Sequence, residues 1–358
     1  MNIMKLPGLI DIHVHLRDPG QTHKEDFFTG TSAALAGGFV TVIDMPNNKI
    51  PIITIDLLKG KIKEAKKKVV CDIGFYAGTL GNNLEQLSVM EPYVFGLKLY
   101  CNETTGNFII NKKNLKKIFL SWESDKPIVV HAEENILPDV LKVVKETGKR
   151  IHVCHVSNKA QLRLIINAKE QKLPVTCGVT PHHLFLSEDD VTSLRSFVMM
   201  KPSLGLKTDR DFLWKNLKYV DVIESDHAPH TIEEKNHPPA GGHVSFGVPG
   251  LETTLPLLLT AVSEKRLSVE RLVQLCFENP KKIFSIKTDI NTWIEIDSKE
   301  EYSIDNKNIQ SKCGWSPFHG WKVKGRLRKV VVRGVTVIEN NNQLLISQGF
   351  GKIICPKK

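Results

Sequence analysis

The chain has 358 residues, of which 41% are hydrophobic and 25% charged, and it carries a formal net charge of +10. That length and balance exclude a disordered chain and allow a core large enough to fold without disulfides or a structural metal. No apolar run reaches the ~20 residues needed to span a bilayer, which argues against a membrane partner. The seven cysteines include no CxxC pair, and the N-terminus runs straight into a strand-like segment without a signal-peptide pattern. Both features predict reduced thiols and a cytoplasmic location.

In chain order, short apolar segments predict strands over residues 9–16, 40–45, 72–77, 96–100, 127–132, 151–156, 174–179 and 220–225. Amphipathic stretches between most of them predict helices over 24–36, 54–67, 114–122, 135–146, 159–171 and 208–215, with another over 251–262. Alternating β and α units imply a parallel sheet. Eight units in so short a span suit a closed (β/α)8 TIM-type barrel of class α/β. After Phe284 the texture changes: residues 291–296, 323–332 and 336–338 read as short strands separated by polar turns. The expected division is therefore a barrel over 7–284 and a small C-terminal β appendage over 285–358, joined by the N-terminal residues.

Much of the positive charge lies in two helical runs, Lys59, Lys61, Lys63, Lys66, Lys67 and Lys68, and Lys112, Lys113, Lys116 and Lys117. These read as solvated helix faces, or as attraction for anionic substrates or an acidic subunit. No aromatic interleaving accompanies them, which argues against nucleic acid. Lys322, Lys324, Arg326 and Arg328 alternate along one predicted strand and give it a basic face, read as facing solvent or as an assembly surface.

The chemistry concentrates at the ends of the predicted barrel strands, where catalytic groups of such barrels sit. His13 and His15 lie two residues apart and so project to the same side of the first strand; Arg17 follows with the same parity. Alone, such a pair reads more readily as packed or hydrogen-bonded histidines than as metal ligands. The fourth strand carries Lys98, the fifth His131, the sixth His155, and the eighth ends in Asp226. Four imidazoles and a carboxylate suit two borderline metals such as Zn2+. A free ammonium beside two such cations is disfavoured. A neutral Lys98 amine that adds CO2 becomes an anionic carbamate able to bridge them.

The segments Asp11-Ile12-His13-Val14-His15-Leu16-Arg17-Asp18-Pro19-Gly20 and Ser225-Asp226-His227-Ala228-Pro229-His230 resemble the two signatures of the dihydroorotases of the amidohydrolase superfamily. Gly96-Leu97-Lys98-Leu99-Tyr100, followed by Asn102-Glu103-Thr104, and Pro249-Gly250-Leu251-Glu252-Thr253 match as well. The similarity runs from Leu6 to about Gly351, and is especially close to the dihydroorotase domain of the animal multifunctional pyrimidine-synthesis polypeptide. It implies reversible cyclisation of N-carbamoyl-L-aspartate to L-dihydroorotate with loss of water, on the route to UMP. It further implies two Zn2+ per subunit, one held by His13, His15 and Asp226 and the other by His131 and His155, bridged by carboxylated Lys98 and a water. Asp226 would be the general acid/base. Arg17, Asn47 and His230 would grip the substrate carboxylate, Pro249 and Gly250 would contact the ring, and Thr104 would lie near the tip of a mobile lid. A homodimer is the family expectation, and association with an aspartate transcarbamoylase is compatible with activity.

From the residues alone, Asn47 also reads as a turn residue and His230 as a loop histidine. His182 and His183 are read as structural or supporting groups and His152 as packed. Three departures from the animal pattern stand out. Gly178 replaces a glutamate that helps bind a third metal beside a cysteine, so two metals are expected although Cys154 is kept. Thr105 replaces a lid phenylalanine. Lys201 stands where an active-site arginine is usual, which keeps the charge and loses the planar fork. Two other readings are a cyclic amidohydrolase for hydantoin, allantoin or a dihydropyrimidine, and a non-catalytic scaffold for a transcarbamoylase. The first lacks the need for Arg17, Asn47 and His230 together; the second would have lost metal ligands.

Overall fold

The computed structural model describes residues 2–104, 108–237, 245–339 and 343–356; Thr105 therefore lies outside the described residues. The chain folds as an α/β barrel carrying an antiparallel sheet. The barrel staves, in chain order after β1 (Ile3–Pro7), are β2 (Leu9–Val14), β3 (Phe39–Asp44), β4 (Asp72–Phe75) continued after Tyr76 by β5 (Ala77–Gly78), β6 (Leu97–Tyr100), β7 (Ile128–His131), β8 (Ile151–Val153), β9 (Val175–Val179) and β10 (Val222–Ile223). All neighbouring pairs are parallel. The ring closes where Val14 bridges His227 in parallel and His15 N–H donates to His227 O at 2.8 Å. Most staves are buried from end to end, as near-continuous apolar runs covered by helices must be.

Local signals set the helix starts. Asp26 and Thr29 form a reciprocal cap on Phe27–Ala36. Thr54 caps Ile55–Lys68 and Asn158 caps Lys159–Glu170 through their side-chain oxygens, each satisfying an N–H that the helix itself leaves unpaired. Gly37, just past the first helix, is held in place by crowding: a Cβ there would come within 2.1 Å of Leu251 O. Helix Leu251–Ser263 packs at that point, following the eighth stave.

The second sheet has the order β1, β11 (Trp293–Ser303), β12 (Lys322–Val332), β13 (Val335–Glu339), β14 (Gln343–Leu344), all antiparallel. The N-terminal strand thus completes a sheet made mainly by the C-terminal part of the chain. Residues 304–321, between β11 and β12, reach back over the barrel. Trp315 Nε1 donates to His230 O at 2.7 Å and the amide of Gln310 donates to Glu252 at 2.8 Å. Among the described residues, no helix is long and apolar enough to cross a membrane.

Two expectations about charge need correction. Lys61 does not share the solvated face of its run. It is buried, with Nζ 2.7 Å from both Asp44 Oδ2 and Met45 O and 2.8 Å from Asn48 Oδ1. The amphipathic helix turns that one position inward, where an unpaired ammonium would be costly and Asp44 meets it. The basic face of β12 is not simply solvated either: Lys324 pairs with Glu301 and Arg326 and Arg328 pair with Glu300 across the strand.

Candidate metal centre and substrate pocket

The C-terminal mouth of the barrel gathers the reactive residues into one cavity, lined by His13, His15, Arg17, Asn47, Tyr100, Thr104, His131, His155, Lys201, Asp226, Ala228, Phe246 and Gly247. His13 and His15 leave β2 together, as their parity predicts, and converge on one oxygen. His13 Nε2 lies 3.3 Å and His15 Nε2 3.1 Å from Asp226 Oδ1. His15 Nδ1 is 2.7 Å from Asn47 Oδ1, which orients its ring. Opposite them, His131 Nδ1 is 3.0 Å from His155 Nε2, and the His13 and His155 rings stand 5.1 Å apart. Between these groups Lys98, fully buried, brings Nζ to 3.0 Å from Cys154 Sγ and 4.8 Å from the Tyr100 ring.

Three cavity-lining positions are held at positive φ although none is glycine: Arg17 at 61°, His155 at 36° and Asp226 at 45°. Such backbone costs roughly 1–3 kcal/mol and collects where side chains must be aimed out of the regular strand path.

The electrostatics follow from burial. His13 is pushed down to about 4 by burial, against the pull of Asp226; His131 and His155 are also lowered, again chiefly by burial. Neutral imidazoles are the form that donates to a metal. Burial opposes the Asp226 anion, but His13 and His15 outweigh it and hold the carboxyl well below its usual range. The second nitrogens of these rings, His13 Nδ1, His131 Nε2 and His155 Nδ1, turned away from those contacts, are buried without hydrogen-bond partners. Ligand atoms of His13, His15 and Asp226, and likewise of His13, Cys154 and His155, lie within 4.8 Å of one another. The donor set therefore fits divalent metal.

Arg17 is buried beside this cluster. Its Nε donates to Pro229 O at 3.1 Å and its Nη2 lies 3.2 Å from His230 Nε2. His230 is pushed down to about 3 by burial and by Arg17. Lys201 reaches the cavity with Nζ 5.1 Å from the Phe246 ring. Pro249 and Gly250 do not line the cavity; the Gly250 amide donates to His227 Nδ1 at 3.2 Å from behind it. His183 is tied to Thr180 and Pro202 O, His152 to Thr176, and His182 is buried with Nε2 unpartnered.

The sequence reading missed two groups. Tyr100 lines the cavity with its hydroxyl unpartnered; in the sequence it stands out only as part of the Lys98 motif. Glu224 is wholly buried, 3.4 Å from His152 Nε2 and 3.6 Å from His13 Nδ1, and accepts from the His155 amide. The available signal was an acid at the end of an apolar strand, two residues before Asp226.

A (β/α)8 barrel with histidines, a lysine and an aspartate at its stave ends, in groups that could hold a metal ion, defines a hydrolase of the amidohydrolase type. The amidohydrolase family model matches residues 4–290, and the chain belongs to that family. Within it, the chain is 37% identical to a dihydroorotase of Pyrococcus horikoshii, over 94% of this chain and 81% of that one. It is 43% identical to the multifunctional protein CAD of Squalus acanthias over 98% of this chain, which spans only 16% of that protein. Among solved structures, an L-hydantoinase (dihydropyrimidinase) of Arthrobacter aurescens superposes with a TM-score of 0.92 at 27% identity, covering 98% of this chain and 89% of that one. The inactive dihydroorotase-like domain of a CAD-like protein of Chaetomium thermophilum superposes at 0.84 and 27% identity, covering 99% and 100%.

Proposed function

We propose that the chain is a dihydroorotase, interconverting N-carbamoyl-L-aspartate and L-dihydroorotate. The observation that carries the reading is a buried Arg17 with His230 at 3.2 Å, set beside the His13, His15 and Asp226 cluster, with Asn47 held against His15. A guanidinium is suited to a bidentate carboxylate contact, and dihydroorotate carries a ring carboxylate that hydantoin lacks. The names of the relatives support the same choice.

His13, His15 and Asp226 would hold one Zn2+ and His131 and His155 a second, with carboxylated Lys98 between them. Bound there, the metals would acidify the attacking water and polarise the attacked carbonyl. Burial of Lys98 supports its carboxylation: among the described residues no carboxylate lies within ion-pair range of Nζ, and a buried unpaired ammonium is costly. In ring opening, water oxygen bonds to the ring carbonyl carbon and the carbon–nitrogen bond breaks. Asp226, kept ionised by its histidines, takes a proton from water and gives it to the leaving nitrogen. The new carboxylic acid ionises and releases the second proton to solvent. Closure therefore consumes one proton, so each unit of pH drop favours the ring by about tenfold. Arg17 and Lys201 balance the charge of the dianionic open form.

The superposition on an L-hydantoinase favours one second reading, a cyclic amidohydrolase for uncharged rings. The deciding assay follows loss of L-dihydroorotate at mildly alkaline pH, with hydantoin and allantoin in parallel and Lys98→Ala as control. We expect turnover of dihydroorotate alone, reduced about a thousandfold or more in the variant, the scale of losing several kcal/mol of charge stabilisation. Turnover of hydantoin with no preference for dihydroorotate would transfer the reading to the second class. Inactivity with zinc and bicarbonate supplied would favour a scaffold.

A further inference from the structure

Two neighbouring staves compete for one space behind the metal cluster. Gly178 lies on β9 and Glu224 just past β10. A Cβ on residue 178 would sit 2.5 Å from Glu224 Cδ and 2.7 and 2.9 Å from its two oxygens. The glycine is therefore what lets the Glu224 carboxylate stand where it does. From there it faces three histidines at once: the His13 ring edge at 3.6 Å, the His152 ring at 3.4 Å and the backbone amide of His155. Glu224 has no solvent exposure, so its charge has to be answered by these groups.

Resting on the reading of His13 and His155 as metal ligands, we infer that Glu224 is a positioning residue for the metal centre. Its carboxylate holds the His13 ring from the Nδ1 side while Nε2 points at Asp226. The same carboxylate fixes the positive-φ backbone of His155, which aims that imidazole across the mouth. A carboxylate behind a metal-bound histidine sets ring orientation and raises ligand basicity, and removing one usually weakens metal binding by about 10–100-fold. Gly178 and Glu224 are a coupled pair: a side chain at 178 is tolerated only when 224 is shortened.

The test uses the full chain stripped of metal. Zn2+ affinity is measured by competition with a chromophoric chelator, and melting temperature is recorded with and without Zn2+, for wild type, Glu224→Gln, Glu224→Ala and the double variant Gly178→Glu/Glu224→Ala. We expect at least about tenfold weaker Zn2+ binding in Glu224→Gln, which preserves shape and removes charge. The Zn2+-dependent rise in melting temperature should shrink with it, whereas a purely structural role would lower both melting temperatures together. The double variant, which returns a carboxylate to the same space from the next stave, should recover most of the lost affinity. Should Glu224→Ala fail to fold, the glutamine and double variants decide alone. Zn2+ binding unchanged in Glu224→Gln, or a double variant that binds as weakly as a protein lacking both carboxylates, overturns the inference while leaving the metal centre intact. A wild-type protein that binds no Zn2+ overturns both.

Discussion

The barrel mouth and the antiparallel sheet handle charge in opposite ways. At the mouth, Lys61, Asp44, Glu224, Asp226 and Lys98 are buried, and each is surrounded by groups from several distant segments. On β12, Lys324, Arg326 and Arg328 alternate with inward apolar residues and meet Glu300 and Glu301 of one adjacent strand in partial contact with water. Buried charges lose their hydration and depend on their partners, so removing one partner is costly. Half-exposed pairs gain little, because water screens them and already solvates both ends. The difference marks the mouth as the part of the molecule where charge is placed for a task.

Lys61 gives the largest expected effect among these contrasts. Its ammonium joins Asp44, Met45 O and Asn48, while Asp44 Oδ1 accepts from the Leu16 amide at 2.8 Å. One side chain from an outer helix thus ties together the exits of β2 and β3, which carry His15, Arg17 and Asn47. Lys61→Met keeps most of the volume and strands a buried carboxylate. Stability should fall by about 3–5 kcal/mol, read by chemical denaturation. If the proposed activity holds, KM for dihydroorotate should also rise more than kcat falls. An unfolding midpoint equal to wild type would break the contrast.

Acid should find the mouth before the sheet. His183 is pushed down to about 4 and His230 to about 3, each first by burial. Both lie below 6.5, the value of a free histidine. Between these limits the unfolded chain binds more protons than the folded one, so stability is present above pH 6.5 and is lost as pH falls toward 4 and then 3. Melting temperature should therefore decline across that window, and His183→Gln should flatten the slope. A profile flat from pH 7 to 4 would mean that these histidines are not buried neutral.

What could be read from the chain divides along the same line. Stave positions follow from local apolar runs, such as Leu9–Val14 and Ile128–His131, and the His13 and His15 parity needs only two residues of strand. Lys61 and Glu224 were not legible in that way. Lys61 sits in a run of lysines whose neighbours face water, and its inward turn is decided by Asp44 on another element. Glu224 gains its meaning from Gly178 on the next stave, so neither residue announces the pair alone. The reach of residues 304–321 to Glu25, Glu252 and His230 depends on how the second sheet leans on the barrel, which no local pattern encodes. The eighth stave was expected over 220–225 and is only Val222–Ile223, because the following residues bond to Asp11 and Val14 of the first stave's segment rather than running on as strand.

The smallest effect belongs to the basic face of β12. Lys324 and Glu301 are paired at 3.1 Å with side chains 34% and 70% exposed. Lys324→Gln should cost less than about 1 kcal/mol and shift melting by no more than about 2–4 °C. The shift should vanish in high salt, where the Debye length shrinks to about 3 Å at 1 M, and dihydroorotate turnover should be unchanged. The paired glutamates explain why: Lys324, Arg326 and Arg328 already meet carboxylates within their own sheet. A larger loss of stability that depends on protein concentration would mean that another chain buries this face, and the basic ladder would then belong with the mouth as charge placed for a partner.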